Sequence, residues 1–246
     1  MKATKIEWTD RTWNPITGCT KYSSGCANCY AEIMARRLQA MGQKKYANAF
    51  SLSFHEECLK EPIEWKNPST IFVCSMGDVF HKDVPISFIN KIMKVIKSTP
   101  RHRYQLLTKR SQRMAEYFQS HEIPSNAWLG VTVEAKEFKN RILDLQSLKN
   151  APVRFVSFEP LLNNVGTMDL SNINWAIVGG ESGAKGRPMD KLWVENIKKQ
   201  CEEQNVSFFF KQWGTWGSDG IKRNKRANGK KLEGKVIQNL PELSLA

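Results

Sequence analysis

Short β-rich runs alternate with helix-patterned stretches along most of this chain, and that rhythm constrains the fold more than any other feature. The strand candidates are Thr70–Ser75, Arg103–Leu107, Ala127–Val133, Val153–Phe158, Asn174–Val178 and Ser207–Phe210, with an earlier one at Thr12–Thr17. Between them, Ile86, Ile89, Ile92, Met93 and Ile96 fit one apolar helix face, as do Phe138, Ile142, Leu145 and Leu148. A further helix is expected over Lys191–Glu203, with Leu192, Val194 and Ile197 on its buried side. Alternating strands and helices imply βαβ units and a parallel sheet. Successive strands start roughly 20–33 residues apart, about one such unit each. Six to seven units fit an α/β fold, either a parallel βα barrel, partial or near-complete, or a doubly wound open sheet.

Side-chain alternation favours the barrel. Trp128, Gly130, Thr132 and Glu134 share one strand face, and Leu129, Val131 and Val133 the other. The uniformly apolar set should pack against surrounding helices, so the mixed set should face inward. The same parity gives Phe155, Ser157 and Glu159 on the next strand, then Trp175, Ile177, Gly179 and Glu181. A partly polar interior suits a barrel with a ligand inside it. An open doubly wound sheet would be apolar on both faces. In a parallel barrel the chemistry sits at the C-terminal strand ends. Those ends offer Asp78, Lys109, Arg110, Glu134, Glu159, Glu181, Lys211 and Gln212. Three carboxylates in one cavity repel one another unless cations meet them, and Lys211 and Arg110 are the candidates for that.

The loop Gly18-Cys19-Thr-Lys-Tyr-Ser-Ser-Gly-Cys26-Ala-Asn-Cys29-Tyr30 follows the first strand and precedes a helix expected over about Ala27–Met41, with Tyr30, Met34, Leu38 and Met41 on one face. Three thiolates within eleven positions can converge on one centre. Thiolates suit iron–sulfur clusters and zinc. A structural zinc site would want a fourth ligand, from Cys58, Cys74 or His55. A cubane cluster held by three cysteines would leave one iron open for chemistry. Unrelated free thiols are the remaining reading.

The chain has 246 residues, 41% hydrophobic and 25% charged, which suits a soluble globular protein of one large or two small domains. No stretch approaches the roughly 18–20 apolar residues of a membrane span. The N-terminus lacks an apolar signal region. A cytoplasmic location is therefore expected, where clustered cysteines serve metals or catalysis and not disulfides. The net charge of +13 favours an anionic partner, with nucleic acid the usual one. From Trp213 onward the pattern turns irregular. The segment from Lys222 to Lys235 holds seven cations and one acid. Residues 1–213 are therefore read as the barrel with its cysteine loop, and 214–246 as a basic C-terminal tail or lid. Trp213 and Trp216 could stack bases while Lys222, Arg223, Lys225 and Arg226 hold phosphates.

Several longer motifs carry a family resemblance. They are Trp8-Thr-Asp-Arg-Thr-Trp-Asn-Pro-Ile-Thr-Gly-Cys19, the cysteine loop, Ser75-Met-Gly-Asp-Val-Phe80, Leu107-Thr-Lys-Arg110 and Trp128-Leu-Gly-Val-Thr-Val-Glu134. Further along come Ser157-Phe-Glu-Pro-Leu-Leu162, Val178-Gly-Gly-Glu-Ser-Gly183 and Phe210-Lys-Gln-Trp-Gly214. On these the chain resembles the phage-associated three-cysteine-motif proteins, a family similar to radical S-adenosylmethionine enzymes. The resemblance implies a [4Fe-4S] cluster on Cys19, Cys26 and Cys29, S-adenosylmethionine as second cofactor, and an external one-electron donor. It implies a 5′-deoxyadenosyl radical that abstracts a substrate hydrogen inside the barrel; the net charge and the basic tail point to a nucleic acid or nucleotide as that substrate. The cofactor would be met by Tyr30, Ser75, Gly77, Asp78, Thr108, Lys109 and Thr132. Glu134, Glu159, Glu181 and Lys211 would be catalytic, and Arg110 would join the basic tail in binding substrate.

The match to the wider enzyme pattern has departures. The usual Cys-x3-Cys-x2-Cys is Cys-x6-Cys-x2-Cys here, and Asn28 stands where an aromatic residue is usual, with Tyr30 just after the last cysteine. Gly179-Gly180-Glu181 follows the sixth strand, whereas the usual Gly-Gly-Glu follows the second, which here ends in Met76-Gly77-Asp78. Asp78 is therefore the candidate ammonium partner. A metal-stapled, non-catalytic nucleic-acid-binding protein is the alternative function.

Overall fold

The computed structural model describes residue 4 and residues 6–241. Eleven strands and seven α-helices are assigned among them, with four short 3-10 turns. The strands are β1 (Arg11–Trp13), β2 (Ile16–Thr17), β3 (Ser53–Phe54), β4 (Thr70–Val73), β5 (Arg103–Thr108), β6 (Ala127–Thr132), β7 (Val153–Phe158), β8 (Trp175–Gly179), β9 (Ser207–Gln212), β10 (Lys231–Leu232) and β11 (Lys235–Val236). The helices are α1 (Tyr30–Ala40), α2 (Glu61–Glu64), α3 (Ile86–Ser98), α4 (Ser111–Ser120), α5 (Asn140–Gln146), α6 (Lys191–Glu203) and α7 (Lys225–Asn228). Seven parallel strands form one sheet in the order β1-β4-β5-β6-β7-β8-β9, a partial βα barrel. Sequential order with helical crossovers is what repeated right-handed βαβ units produce. No helix among the described residues is long and apolar enough to cross a membrane.

The chain divides into two compact units: Met1–Tyr22, Cys29–Leu129 and Asn150–Pro152 in one, Ser23–Asn28, Gly130–Lys149 and Val153–Ala246 in the other. In the first, β1 runs parallel to β4 with Arg11 beside Ile71, and β4 parallel to β5 with Ile71 beside Tyr104. The expected single strand over Thr12–Thr17 is broken. Pro15 has no N–H to continue a ladder, so β1 stays in the main sheet while β2 pairs antiparallel with β3. α3 buries Phe88, Ile89, Ile92, Met93, Val95 and Ile96, but Ile86, in its first turn, is 45% exposed. α1 starts later than expected and buries Ala31 and Ala35, leaving Tyr30, Met34 and Met41 exposed.

In the second unit β7, β8 and β9 run parallel, with Phe155 beside Trp175 and Trp175 beside Ser207. The expected parity is visible in their packing. A Cβ on Gly130 would lie 2.4 Å from the Phe155 ring, and Phe155 stands 5.8 Å from Trp175, which stands 5.8 Å from Phe209. These residues share one face of the sheet. α6 is capped by Asp190, whose carboxylate accepts from Leu192 N at 2.8 Å. It buries Val194, Ile197 and Cys201, at helical spacing, and leaves Leu192 69% exposed, correcting the expected face.

The basic C-terminal segment folds back onto this unit. β10 and β11 form an antiparallel pair with Leu232 fully buried. Phe210 N donates to Ile237 O at 2.7 Å, and Asn239 N to Phe208 O at 3.1 Å. β9 is the last strand of the sheet, so this backbone pairing satisfies groups that an edge strand would leave open.

Candidate functional site

In the first unit, two glycines bring the cysteine loop beside the turn after β4. Gly18 has φ +83°, and a Cβ there would sit 2.2 Å from Ser51 O. Its N–H donates to Met76 O at 2.8 Å, and it bridges in parallel with Gly77. Only a residue without a side chain permits this approach. Asn14 Oδ1 accepts from Ser75 Oγ at 3.2 Å and Met76 N at 3.0 Å, and Tyr30 OH donates to Ser75 O at 2.5 Å. The turn ends in Asp78, which is buried and accepts from Thr108 Oγ1 at 2.8 Å, Phe80 N at 2.9 Å and Arg110 Nη1 at 2.8 Å.

Arg110 in turn donates to Cys19 Sγ at 3.5 Å and to Thr20 O at 3.1 Å, and lies 4.9 Å from the Tyr22 ring centroid. Burial works against its charge, but Asp78 and Cys19 outweigh that and raise its pKa. A fixed cation next to a thiol favours the thiolate. Cys19, Tyr30, Ser75, Gly77, Asp78, Thr108 and Arg110 are thus gathered in this unit. Lys109 lies half-buried between Thr108 and Arg110 in sequence. His81, which sequence reasoning missed, is fully buried, with Nε2 2.8 Å from Thr20 Oγ1. Burial and the nearby Arg110 hold its pKa down, which favours a neutral ring.

The second unit gives each expected carboxylate its own cation. Glu134 pairs with Arg141 at 2.8 Å, Glu159 with Lys211 at 2.9 Å, and Glu181 with Arg187 at 2.6 Å. Lys211 was the expected partner type. Arg141 and Arg187 were not foreseen, although an arginine among Phe138, Ile142 and Leu145 on an apolar helix face is itself a signal. Arg110, expected to serve the glutamates, serves Asp78. Glu134 also accepts from Ser23 Oγ and, at 3.4 Å, from Gly25 N, both in the cysteine loop. Arg141 donates to Thr132 O at 2.7 Å and lies 4.2 Å from the Phe138 ring centroid. With no exposed surface, Glu134 is an anchor for the loop. Thr132 is buried beside it in sequence.

Glu181 receives three further donors: Arg187 N at 2.9 Å, Arg187 Nε at 2.8 Å and Asn28 Nδ2 at 3.1 Å. Asn28, which stands in the usual aromatic position, therefore ties the cysteine loop to the β8 end. Burial alone would raise the Glu181 pKa, but these hydrogen bonds prevail and lower it. A Cβ on Gly179 would lie 2.5 Å from Glu159 Oε1, so that glycine makes room for the Glu159 carboxylate.

All six cysteines are free. Cys19, Cys26 and Cys29 are half-buried, and Cys58, Cys74 and Cys201 are buried. Burial pushes the Cys74 and Cys201 thiols up to about 12 and raises Cys58. Burial therefore disfavours a thiolate at Cys58, Cys74 and Cys201 and leaves Cys19, Cys26 and Cys29 as the more accessible thiols. Among the described residues, no three His, Cys, Asp or Glu side chains are arranged to hold a single metal ion.

The expected substrate residues separate. Trp213 is not available for stacking. It is 2% exposed, its ring lies 4.9 Å from Phe210, and Nε1 donates to Lys231 O at 2.9 Å. Trp216 is half-buried, and Lys222, Arg223, Lys225 and Arg226 are exposed. Arg223 is engaged with Asp219 at 2.7 Å.

A family model described as "Protein of unknown function (DUF5131)" matches residues 3–241. No curated protein matches the chain. Among solved structures, a cysteine-to-serine variant of spore photoproduct lyase is 12% identical, with TM-score 0.51, over 90% of this chain and 69% of that one. A doubly substituted form of the same lyase, solved with bound AdoMet and dinucleoside spore photoproduct, is 11% identical, with TM-score 0.49, over 83% of this chain. The chain spans 64% of that protein's length.

Proposed function

The chain belongs to the DUF5131 family, and we propose that it is a radical S-adenosylmethionine-type enzyme whose [4Fe-4S] cluster is held by Cys19, Cys26 and Cys29. One observation carries the reading. Of six free cysteines, the three that share one loop are half-buried, and the other three are buried. Thiolate donors suit an iron–sulfur cluster. A partial parallel barrel, the fold also found in the lyase variant, supports the class of enzyme at the level of fold.

When bound, the cluster and S-adenosylmethionine would supply one-electron cleavage of a sulfonium carbon–sulfur bond. The chain's own residues supply position and charge. Arg110, paired with Asp78, donates to Cys19 Sγ and would place its positive charge beside that ligand. Gly18 and Gly77 allow the turn of Ser75, Met76 and Asp78 to lie beside the cysteine loop, where Tyr30, Ser75 and Lys109 would contact the cofactor. Asp78 is already occupied by Arg110, so an ammonium group would share that carboxylate. Glu159 and Glu181, each tied to a cation, would orient the substrate, with Lys211 as the cation that meets Glu159. Residues 214–246 serve as a substrate-facing cover. With +13 net charge, the substrate is a nucleic acid or nucleotide. The enzyme works in the cytoplasm with an external one-electron donor. The phage association rests on the sequence resemblance alone.

The test is anaerobic reconstitution followed by iron and sulfide analysis. Cys19→Ala, Cys26→Ala and Cys29→Ala should each lose the cluster, and Cys58→Ala, Cys74→Ala and Cys201→Ala should keep it. The wild-type product should cleave S-adenosylmethionine reductively. Full iron retention in Cys26→Ala, or stoichiometric zinc without iron, would overturn the assignment and favour a metal-stapled binding protein.

A further inference from the structure

A cavity of about 410 Å³ opens in the second unit, between the start of α6 and the turn that follows Trp216. Its size lies within the roughly 300–1,000 Å³ of small-molecule sites. Two indoles line it, Trp193 from α6 and Trp216 from the turn, together with Met189. Both tryptophans are half-buried, so each keeps part of its surface open to solvent. Trp216 is pinned, because its Nε1 donates to Gly186 O at 2.7 Å. Its hydrogen-bonding capacity is therefore spent, and what remains for a ligand is the ring itself.

The turn is built to hold that ring beside a cation. Trp216 bridges antiparallel to Lys222, and Gly217 N donates to Ile221 O at 3.0 Å. A Cβ on Gly217 would lie 2.7 Å from Asp219 Oδ1, so the Asp219 side chain packs closely over that glycine. Lys222 Nζ stands 5.8 Å from the Trp216 ring centroid and donates to Ala184 O at 2.8 Å. The cavity wall also carries one acid and one base: the Asp190 carboxylate caps α6, and Lys191 pairs with Glu195 at 3.0 Å. Farther along the chain, Lys225 and Arg226 are exposed and make no ion pair among the described residues. An aromatic slot followed by unneutralised cations is complementary to a flat ring on a phosphodiester chain.

We propose that the Trp193–Trp216 cavity accepts an unstacked base of a nucleic-acid strand, whose phosphates run over Lys222, Lys225 and Arg226. This rests on the nucleic-acid reading above and gives it a specific pocket, with Trp193 in the stacking role that Trp213, being buried, cannot fill. Substrate recognition is then divided between base stacking at α6 and charge on the C-terminal segment.

Fluorescence anisotropy with the full chain tests it, because it reads binding without turnover. The probes are a short oligothymidylate, an abasic strand of the same length and charge, and thymidine monophosphate. The wild type should bind oligothymidylate about tenfold or more tightly than the abasic strand. Trp193→Ala should reduce oligothymidylate to the abasic affinity, and Trp193→Phe should keep most of the preference. Lys225→Ala with Arg226→Ala should weaken both strands alike and flatten the salt dependence by about 0.7 per charge removed. Trp193→Leu keeps apolar bulk on α6 and replaces the alanine variant if that one fails to fold. Equal wild-type affinity for the two strands, or an unchanged preference in the Trp193 variants, overturns the pocket while leaving phosphate binding intact. Thymidine monophosphate binding as tightly as the strand overturns a strand as occupant. No binding of any probe at low salt overturns the pocket and the nucleic-acid substrate together, without touching the cluster.

Discussion

Arg141→Met removes the guanidinium that pairs with Glu134. Both side chains are almost wholly buried, and the pair is 2.8 Å long. Breaking such a pair from one side costs about 3–5 kcal/mol, because the other charge stays buried. Ser23 Oγ and Gly25 N still donate to Glu134, which places the cost near the lower end, about 3 kcal/mol. For a chain of this size that corresponds to a fall in Tm of about 6–12 °C. Glu134→Gln should cost somewhat less, about 2 kcal/mol, since Arg141 keeps Thr132 O and the Phe138 ring. The double variant should cost less than the sum by about 1–3 kcal/mol, the signature of a direct pair. Urea unfolding with an unchanged m value is the assay. A second readout follows from Ser23 and Gly25: Glu134→Gln should speed the alkylation of Cys26. Additive costs, or a loss under about 1 kcal/mol in Arg141→Met, would show that the pair is solvated and that Glu134 anchors nothing.

Three further outcomes follow. Gly130→Ala forces a Cβ to within 2.4 Å of the Phe155 ring and should cost about 1–3 kcal/mol in chemical unfolding, with Phe155→Leu restoring part of it. The lowered Glu181 pKa stabilises the fold above the ordinary glutamate value, and that contribution disappears as pH falls through the depressed folded value; urea midpoints of wild type and Glu181→Gln should therefore converge below about pH 4. In the metal-free native protein a small alkylating reagent should modify Cys19, Cys26 and Cys29 quickly and the buried Cys58, Cys74 and Cys201 only on unfolding, as read by mass spectrometry.

The strand–helix rhythm was legible because strand period and helix period are written directly in the residue order. The main-sheet strands β4 to β9 lie at the expected places, and the parity of Gly130, Phe155 and Trp175 follows from simple alternation. Misreadings fell where local pattern competes with packing. Leu192 sits in an apolar run, yet the buried stripe of α6 is Val194, Ile197 and Cys201, and the helix is rotated accordingly. Thr12–Thr17 reads as one strand until Pro15 removes a donor. Trp213 and Trp216 are alike in sequence, but one fills the space beside Phe210 and the other borders a cavity.

The sequence by itself determined the α/β class, the places of the strands along the chain and the placing of three thiols on one loop, because each depends on near neighbours or on a repeating period. Tertiary structure alone decided which cation meets which carboxylate. Glu134 and Arg141 are close in the chain, but Asp78 and Arg110, Glu159 and Lys211, and Asn28 and Glu181 are brought together by the fold. A charge pattern cannot encode such pairings, since any buried carboxylate accepts whichever donor the backbone delivers to it. The same holds for Trp193, which no motif marks and which becomes part of a cavity only because α6 and the turn after Trp216 lie side by side.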